Sequence, residues 1–412
     1  GKFLMLLDFQ KKIIESPLSI LLAVIVLLSL GILTLYSITV TQGQEPPNAL
    51  SKQLIFLIPA FLLMITMLLI SKRIIHKYIY FVYGIILIAV MLPFFGEKIA
   101  GTYRWLNFGL PFGLQPSEIA KCVIVITLAK YLSDHNLQMK NFGSNIIPLL
   151  IALIPAFIVL SQPDLGTAFV MMMPVIPMLF WVGSRPYHLF LFVAPVFSIL
   201  AASNVIVFSI WAGVLAMVIF FSRPKLWHAV GLYFGNIFLG LIFPWMWNSL
   251  RPYQQNRVLT LINPELDPLG AGYQIIQSKT ALGSGGLLGK GWGQGTQTHL
   301  KFLPVQESDF IVSVIGEELG FIVLLIIMIL FSWLIIKIIR LALNATDRFS
   351  GLILIGISII FLTHVFVNCA MTTGMIPVKG LPLPFISYGG SFLLSSFMMI
   401  GLIMNFGREE LD

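Results

Sequence analysis

Apolar runs of about 17 to 25 residues, each long enough to cross the hydrocarbon core of a bilayer as a helix, recur along almost the whole chain. They fall at 18–38, 53–70, 76–94, 116–132, 145–161, 166–183, 187–203, 205–222, 227–248, 310–336, 350–371 and 384–406. The pattern predicts an all-α polytopic membrane protein, a single membrane domain over residues 1–412. Prolines within several runs, among them Pro59, Pro155, Pro177 and Pro244, are compatible with spanning helices, because neighbouring helices satisfy the freed carbonyls. The first run is longer than the apolar core of a signal peptide and lacks a small-residue cleavage site, so it counts as a span.

One long polar island interrupts this pattern, Arg251 to Asp309. Nine glycines fall between Gly270 and Gly295, and a loop so rich in glycine can bring backbone N–H groups close to a ligand at little steric cost. The island also carries Arg251, Arg257, Glu265, Asp267, Lys279 and Lys290. A carboxylate among cations beside a membrane suits an enzyme acting on an anionic, lipid-linked substrate. The competing reading is a solvated loop in which Asp267-Pro268-Leu269-Gly270 is only a turn.

Composition agrees with the spans: 58% of residues are hydrophobic and 10% charged, with a mean hydropathy of +0.95, against roughly 25% charged in globular proteins. A net charge of +8 would suggest nucleic acid as the partner of a soluble protein. Here the cations sit mostly in short loops between apolar runs, so they report topology and no nucleic-acid partner is expected. With a cytoplasmic N-terminus, fifteen Lys and Arg residues fall on inside segments and four (Lys52, Lys98, Arg104, Lys379) in short outside loops. That asymmetry predicts cytoplasmic termini and places 249–309 as a large extracytoplasmic loop. Cys122 and Cys369 alone provide neither a disulfide framework nor a cysteine metal cluster.

Several polar residues need a reason. Glu118 and Lys121 are three apart and share a helix face. Ser117 could cap that helix, Glu118 could complement its positive end and Lys121 could snorkel. A lysine a full turn inside is poorly placed to snorkel, however, and ionisable residues at such depth face a bundle interior or a wet cavity. Asp164 is expected to cap the sixth span, and Glu307 and Asp309 to complement the dipole of the 310–336 span. Glu317 and Glu318 lie two turns deep, where no cap explains them. His364 and Asn368, four apart, read as interhelical hydrogen-bonding groups rather than metal ligands.

Taken together, RWLNFG from Arg104, QPSEIAK from Gln115, QPDLGTA from Gln162, DPLGAGYQIIQSK from Asp267, ALGSGGLLGKGWGQGTQ from Ala281, FLPVQESDFIVSVIGEELG from Phe302 and GLPLPFISYGGS from Gly380 resemble the SEDS family of bacterial cell-wall polymerases. GKGWGQGTQ and the VKGLPLP run look more like its elongation members than its division members. The resemblance implies a SEDS-like helical bundle of about ten core spans, which makes the apolar hairpin 187–222 an addition. It implies a peptidoglycan glycosyltransferase of the bacterial plasma membrane that polymerises lipid II during cell elongation. It also implies a divalent cation (Mg or Mn), a class B penicillin-binding protein as transpeptidase partner and further elongation-complex membrane proteins. The family's essential carboxylate matches Asp267, its helix Glu and Lys match Glu118 and Lys121, and its loop Arg and Trp match Arg104 and Trp105. Lys279, in the cationic loop, joins these as a substrate-binding candidate. With Asp267 as general base and no second evident nucleophile, single displacement with inversion is expected, by analogy with two-carboxylate glycosidases. Two alternatives are a lipid-linked precursor flippase, which many spans and buried charge also fit, and a non-catalytic scaffold for a transpeptidase.

Overall fold

A computed structural model of the chain describes residues 17–41, 43–46, 48–96, 102–106, 113–135, 142–249, 272–296, 305–376, 378 and 380–408, with isolated positions 252, 255, 259 and 263. The helices follow the apolar runs: α1 (Leu18–Thr41), α2 (Ala49–Leu69), α3 (Lys72–Met91), α4 (Pro116–Asp134), α5 (Ile146–Leu160), α6 (Leu165–Met172), α7 (Val175–Trp181), α8 (Pro186–Ala201), α9 (Val205–Ser222) and α10 (Leu226–Ser249). Beyond the polar island's first part come α11 (Tyr273–Gly285), α12 (Ile311–Glu318), α13 (Gly320–Leu343), α14 (Arg348–Thr372) and α15 (Gly390–Phe406). Among the described residues eight helices are long and apolar enough to cross a membrane, and three shorter apolar helices together with α4 occupy the other predicted spans.

Local chemistry sets the boundaries. Asn48 opens α2 with a capping box shared with Ser51, and the side chains of Asn204 and Asp347 cap α9 and α14. Pro174 divides the sixth predicted span into α6 and α7. Asp164 caps α6 as its position predicts, accepting from Thr167 N–H at 3.1 Å. Ser117, by contrast, does not cap α4: Gln115 is the capping position, Pro116 opens the first turn, and no side chain caps it.

The heart of the bundle is α4, α14 and α15, which bury residues on every side. A helix apolar all round must be enclosed, and the remaining helices supply the enclosure. α15 runs along α2, α4 packs against both α14 and α15, and α3 and α13 close the flanks. The outer helices turn apolar side chains such as Leu22, Phe81 and Trp227 outward, as helices facing lipid do. α8, α9 and α10 form a unit of their own around Leu191, Ala194, Leu215 and Ile219. A polar link ties that unit together: Trp211 Nε1 donates to Ser198 Oγ at 2.8 Å, which donates to Asn236 Oδ1 at 3.0 Å. Its main contact with the rest is α8 against α7.

Besides the divided sixth span, two more predicted spans differ from the structure. The 310–336 run is two helices, because Gly320 adopts φ +80° and turns the chain between α12 and α13. The next two N–H groups, of Phe321 and Ile322, bond to Gly286 and Leu287 carbonyls of the glycine-rich loop. Glu317 and Glu318 therefore end a helix that precedes the crossing segment and are not two turns inside it. The 384–406 run starts as a helix only at Gly390, and 380–389 is shaped loop.

A Cβ on Gly320 would lie 2.3 Å from Gly289 N, and left-handed backbone costs a non-glycine residue roughly 1–2 kcal/mol. Gly320→Val should therefore lower unfolding free energy by about that much or more, read as a reduced midpoint in detergent-solubilised chemical denaturation. An unchanged midpoint would mean the α12–α13 break does not need glycine.

Candidate functional site

The described parts of the segments that carry the sequence motifs gather at one end of the bundle, above α4, α14 and α15. There Lys121 lies fully enclosed, its side chain 0% exposed, and its Nζ stands 2.6 Å from Glu118 Oε2, whose side chain is 6% exposed. Its second contact is His364 Nε2 on α14 at 3.0 Å, and its third the face of Phe392 on α15, 5.0 Å to the ring centroid. An ammonium has three N–H donors and no lone pair, so these contacts use every direction it offers. Because it can only donate, His364 Nε2 accepts; because His364 Nδ1 lies 3.0 Å from the Pro382 carbonyl, that nitrogen carries the proton. The imidazole is neutral and links α4 to the 380–389 loop. Asn368, one turn along, donates to Leu381 O at 2.7 Å and Asp309 O at 3.2 Å, so His364 bonds across to another helix as its spacing predicts, whereas Asn368 binds the carbonyls of two loop segments.

Beside this ion pair lies a second cluster. Asp164 Oδ2 accepts from Gln115 Nε2 at 2.9 Å and stands 3.8 Å from Arg104 Nε. Arg104 also donates to the Pro163 carbonyl. Gln115 N–H donates to Ser391 Oγ at 2.9 Å, which joins the start of α4 to the start of α15. Trp105 is half-buried in the same segment, which a pair of antiparallel hydrogen bonds between Leu106 and Leu114 closes. Glu307 and Asp309, expected to complement the following helix, both accept side-chain hydrogen bonds just ahead of it. Glu307 Oε1 accepts from Gln44 Nε2 at 3.0 Å and Asp309 from Ser308 at 3.0 Å. Burial pushes the Asp309 carboxyl above its ordinary range, against the Ser308 hydrogen bond and the charge of Arg104. Lys279, on α11, is exposed and makes no hydrogen bond or ion pair among the described residues.

The glycine-rich loop does not spend its amides on a ligand in the way its composition suggests. Lys290 and Gly291 N–H donate to the backbone carbonyls of Glu317 and Glu318, both at 2.9 Å. Thr296 N–H and Lys290 Nζ each reach Glu317 Oε1 at 2.8 Å. Glu318 Oε2 takes Ser37 Oγ at 2.7 Å and Gly293 N–H at 3.2 Å. The loop wraps two buried carboxylates and the carbonyls exposed by the helix break, because each would otherwise lie unpaired in a low-dielectric interior. Asp267 and Glu265 lie outside the described residues, as do Arg251 and Arg257. Sequence reasoning did not single out Ser37, Gln115 or Ser391 as partners at this end; each contact spans more than 270 residues of chain, and no local pattern announces it.

The arrangement defines a multi-span membrane protein with a polar, charge-paired site at one end of its bundle. The family of cell cycle proteins designated FTSW_RODA_SPOVE matches residues 18–212 and 205–411, and the chain belongs to it. Those two matched stretches meet inside the unit formed by α8, α9 and α10. Over 403 residues the chain is 32% identical to the probable peptidoglycan glycosyltransferase FtsW of Trichlorobacter lovleyi, covering 96% of this chain and 93% of that one. Over 331 residues it is 36% identical to the peptidoglycan glycosyltransferase MrdB of Escherichia coli K12, covering 80% and 76%. A solved chain of a peptidoglycan synthase complex superposes with a TM-score of 0.70 at 26% identity, over 95% of this chain and 98% of that one.

Removing one member of a buried ion pair leaves the other uncompensated, at a cost of roughly 3–5 kcal/mol. Lys121→Met should therefore destabilise the protein by about that amount, and adding Glu118→Gln should recover most of it. Denaturant titration followed by tryptophan fluorescence measures both, and equal stability of the single and double variants would contradict the pairing.

Proposed function

We propose that the chain polymerises lipid II at the extracytoplasmic face of the plasma membrane, with Asp267 as the general base, in the elongation branch of its family. Membership of that family makes it a peptidoglycan glycosyltransferase. The observation that supports the site is convergence. Motifs far apart in sequence are bonded to one another at one bundle end, through Gln115 to Asp164 and Ser391, Asn368 to Asp309, and Ser387 Oγ to Ser308 O at 2.6 Å. α11, which follows the Asp267 turn within six residues, packs on α12 at that same end.

In this reading the 4-hydroxyl of one lipid-linked sugar gives its proton to Asp267 while its oxygen attacks the anomeric carbon of the next. The bond to the polyprenyl diphosphate breaks, and the configuration inverts. Lys279 and Arg104 supply positive charge toward the departing diphosphate. Lys121 acts differently: its donors are taken by Glu118, His364 and Phe392, so it holds α4, α14 and α15 in register beneath the substrate and does not grip it. Orientation follows the lysine and arginine asymmetry, which puts this end outside the cell. A class B penicillin-binding protein is the proposed transpeptidase partner. The divalent cation of the family finds no ligand set among the described residues, where no three His, Cys, Asp or Glu side chains converge, and no step here is routed through it.

Asp267→Asn keeps the turn's geometry but cannot take a proton, so lipid II polymerisation should fall about 10²–10⁴-fold while the melting temperature holds. Gel analysis of glycan strands made by purified protein, alongside a thermal melt, decides the matter. Wild-type turnover by the folded variant would remove Asp267 from the mechanism.

A further inference from the structure

Beneath α11 a cavity of about 320 Å³ opens between that helix and the outward-facing ends of α12, α13 and α14. Its walls are mostly hydrocarbon, Leu282, Ile315, Phe321, Leu324 and Cys369, and Thr373 also lines it. Phe321 on its wall is about half exposed, so the cavity opens sideways where acyl chains would lie. Its volume falls within the range of roughly 300–1,000 Å³ typical of small-molecule sites.

Charge enters beside Thr373. Lys279 lies one turn before Leu282 on α11, and its side chain crosses the backbone of Gly374, the residue after Thr373. A Cβ on Gly374 would come within 2.4 Å of Lys279 Cε and 2.9 Å of its Nζ. Gly374 has φ +75°, so glycine both permits the turn and leaves room for the lysine to lie flat over it. The result is an apolar slot with an exposed ammonium at its mouth that has no partner among the described residues.

From this juxtaposition we infer that the slot holds the first part of the polyprenyl chain of a lipid diphosphate, with Lys279 on the diphosphate. Charge complementarity selects this occupant: an apolar segment of a partner helix would leave the ammonium unpaired at its edge. Lipid tails are as apolar as the slot, so entering it gains little hydrophobic free energy. Affinity comes from the ion pair, and the walls decide which chain shape fits and how the diphosphate is aimed. The inference rests on the lipid II polymerase reading and names where that substrate's lipid lies.

The test uses the full chain in phosphatidylcholine nanodiscs. Leu324→Trp fills the slot without touching charge, and Lys279→Met removes the charge without filling the slot. Leu324→Trp should raise the KM for lipid II about tenfold with kcat little changed, the signature of lost uniform binding, whereas Lys279→Met, which removes charge facing the departing diphosphate, should raise KM and lower kcat as well. In a Cys122→Ala background, added polyprenyl diphosphate should slow alkylation of Cys369 by a lipid-soluble maleimide, and phosphatidylglycerol should not. This second measurement needs no slot variant to fold. An unchanged KM in folded Leu324→Trp, equal protection by phosphatidylglycerol, or protection only by a partner's transmembrane segment would each overturn the inference. Parent protein that polymerises lipid II with Cys369 unprotected would refute the slot alone; protection without any polymerisation would refute the polymerase reading and leave the slot standing.

Discussion

An ammonium group inside an apolar bundle is tolerable only while a counter-ion and acceptors enclose it, since an isolated buried charge costs on the order of tens of kcal/mol in the low-dielectric limit. Lys121 meets that condition with three partners from three elements, Glu118 of its own helix, His364 of α14 and Phe392 of α15. The requirement reaches beyond the pair. His364 must be neutral with its proton on Nδ1, and that proton is taken by Pro382, so the loop ahead of α15 is fixed by the same charge. Three central helices and the shaped 380–389 segment are thus held in one register.

A second constraint comes from the backbone. Within a bilayer, irregular chain is tolerated only where it is buried in protein or lines a polar cavity. The break between α12 and α13 exposes carbonyls at the end of one helix and N–H groups at the start of the next, and the glycine-rich loop satisfies both sets. Positive φ at Gly289, Gly291, Gly293 and Gly320 lets the two backbones approach that closely. Glu317 and Glu318 then find lysine, threonine, serine and amide donors within the same wrap. The loop's glycines serve the fold first, while Lys279 on its flank stays exposed.

These two constraints divide the molecule functionally. The pair at Lys121 and the wrap at Glu317 and Glu318 build a stiff platform around paired charges. Arg104, held at the edge by Asp164, and Lys279, lying across Gly374, keep charge toward the open side. A platform of this kind suits glycosyl transfer, to which positioning and a fixed electrostatic field both contribute.

The hydropathy pattern alone determined the membrane class and the approximate limits of most of the apolar helices, because a helix in lipid must be continuously apolar over its length. Periodicity also sufficed for Glu118 with Lys121 and for His364 with Asn368, whose spacings put each pair on one face. It failed at 310–336, where Gly320 looks like any glycine inside an apolar run and only its contact with Gly289 shows that the chain turns there. It failed again for the glycine-rich loop, whose composition fits anion binding and helix wrapping equally well. What tertiary structure decided was which donor meets which acceptor across hundreds of residues: Ser37 with Glu318, Gln115 with Ser391, Lys121 with His364. Burial makes those pairings obligatory, but a sequence states only that each group must find a partner; packing chooses which one.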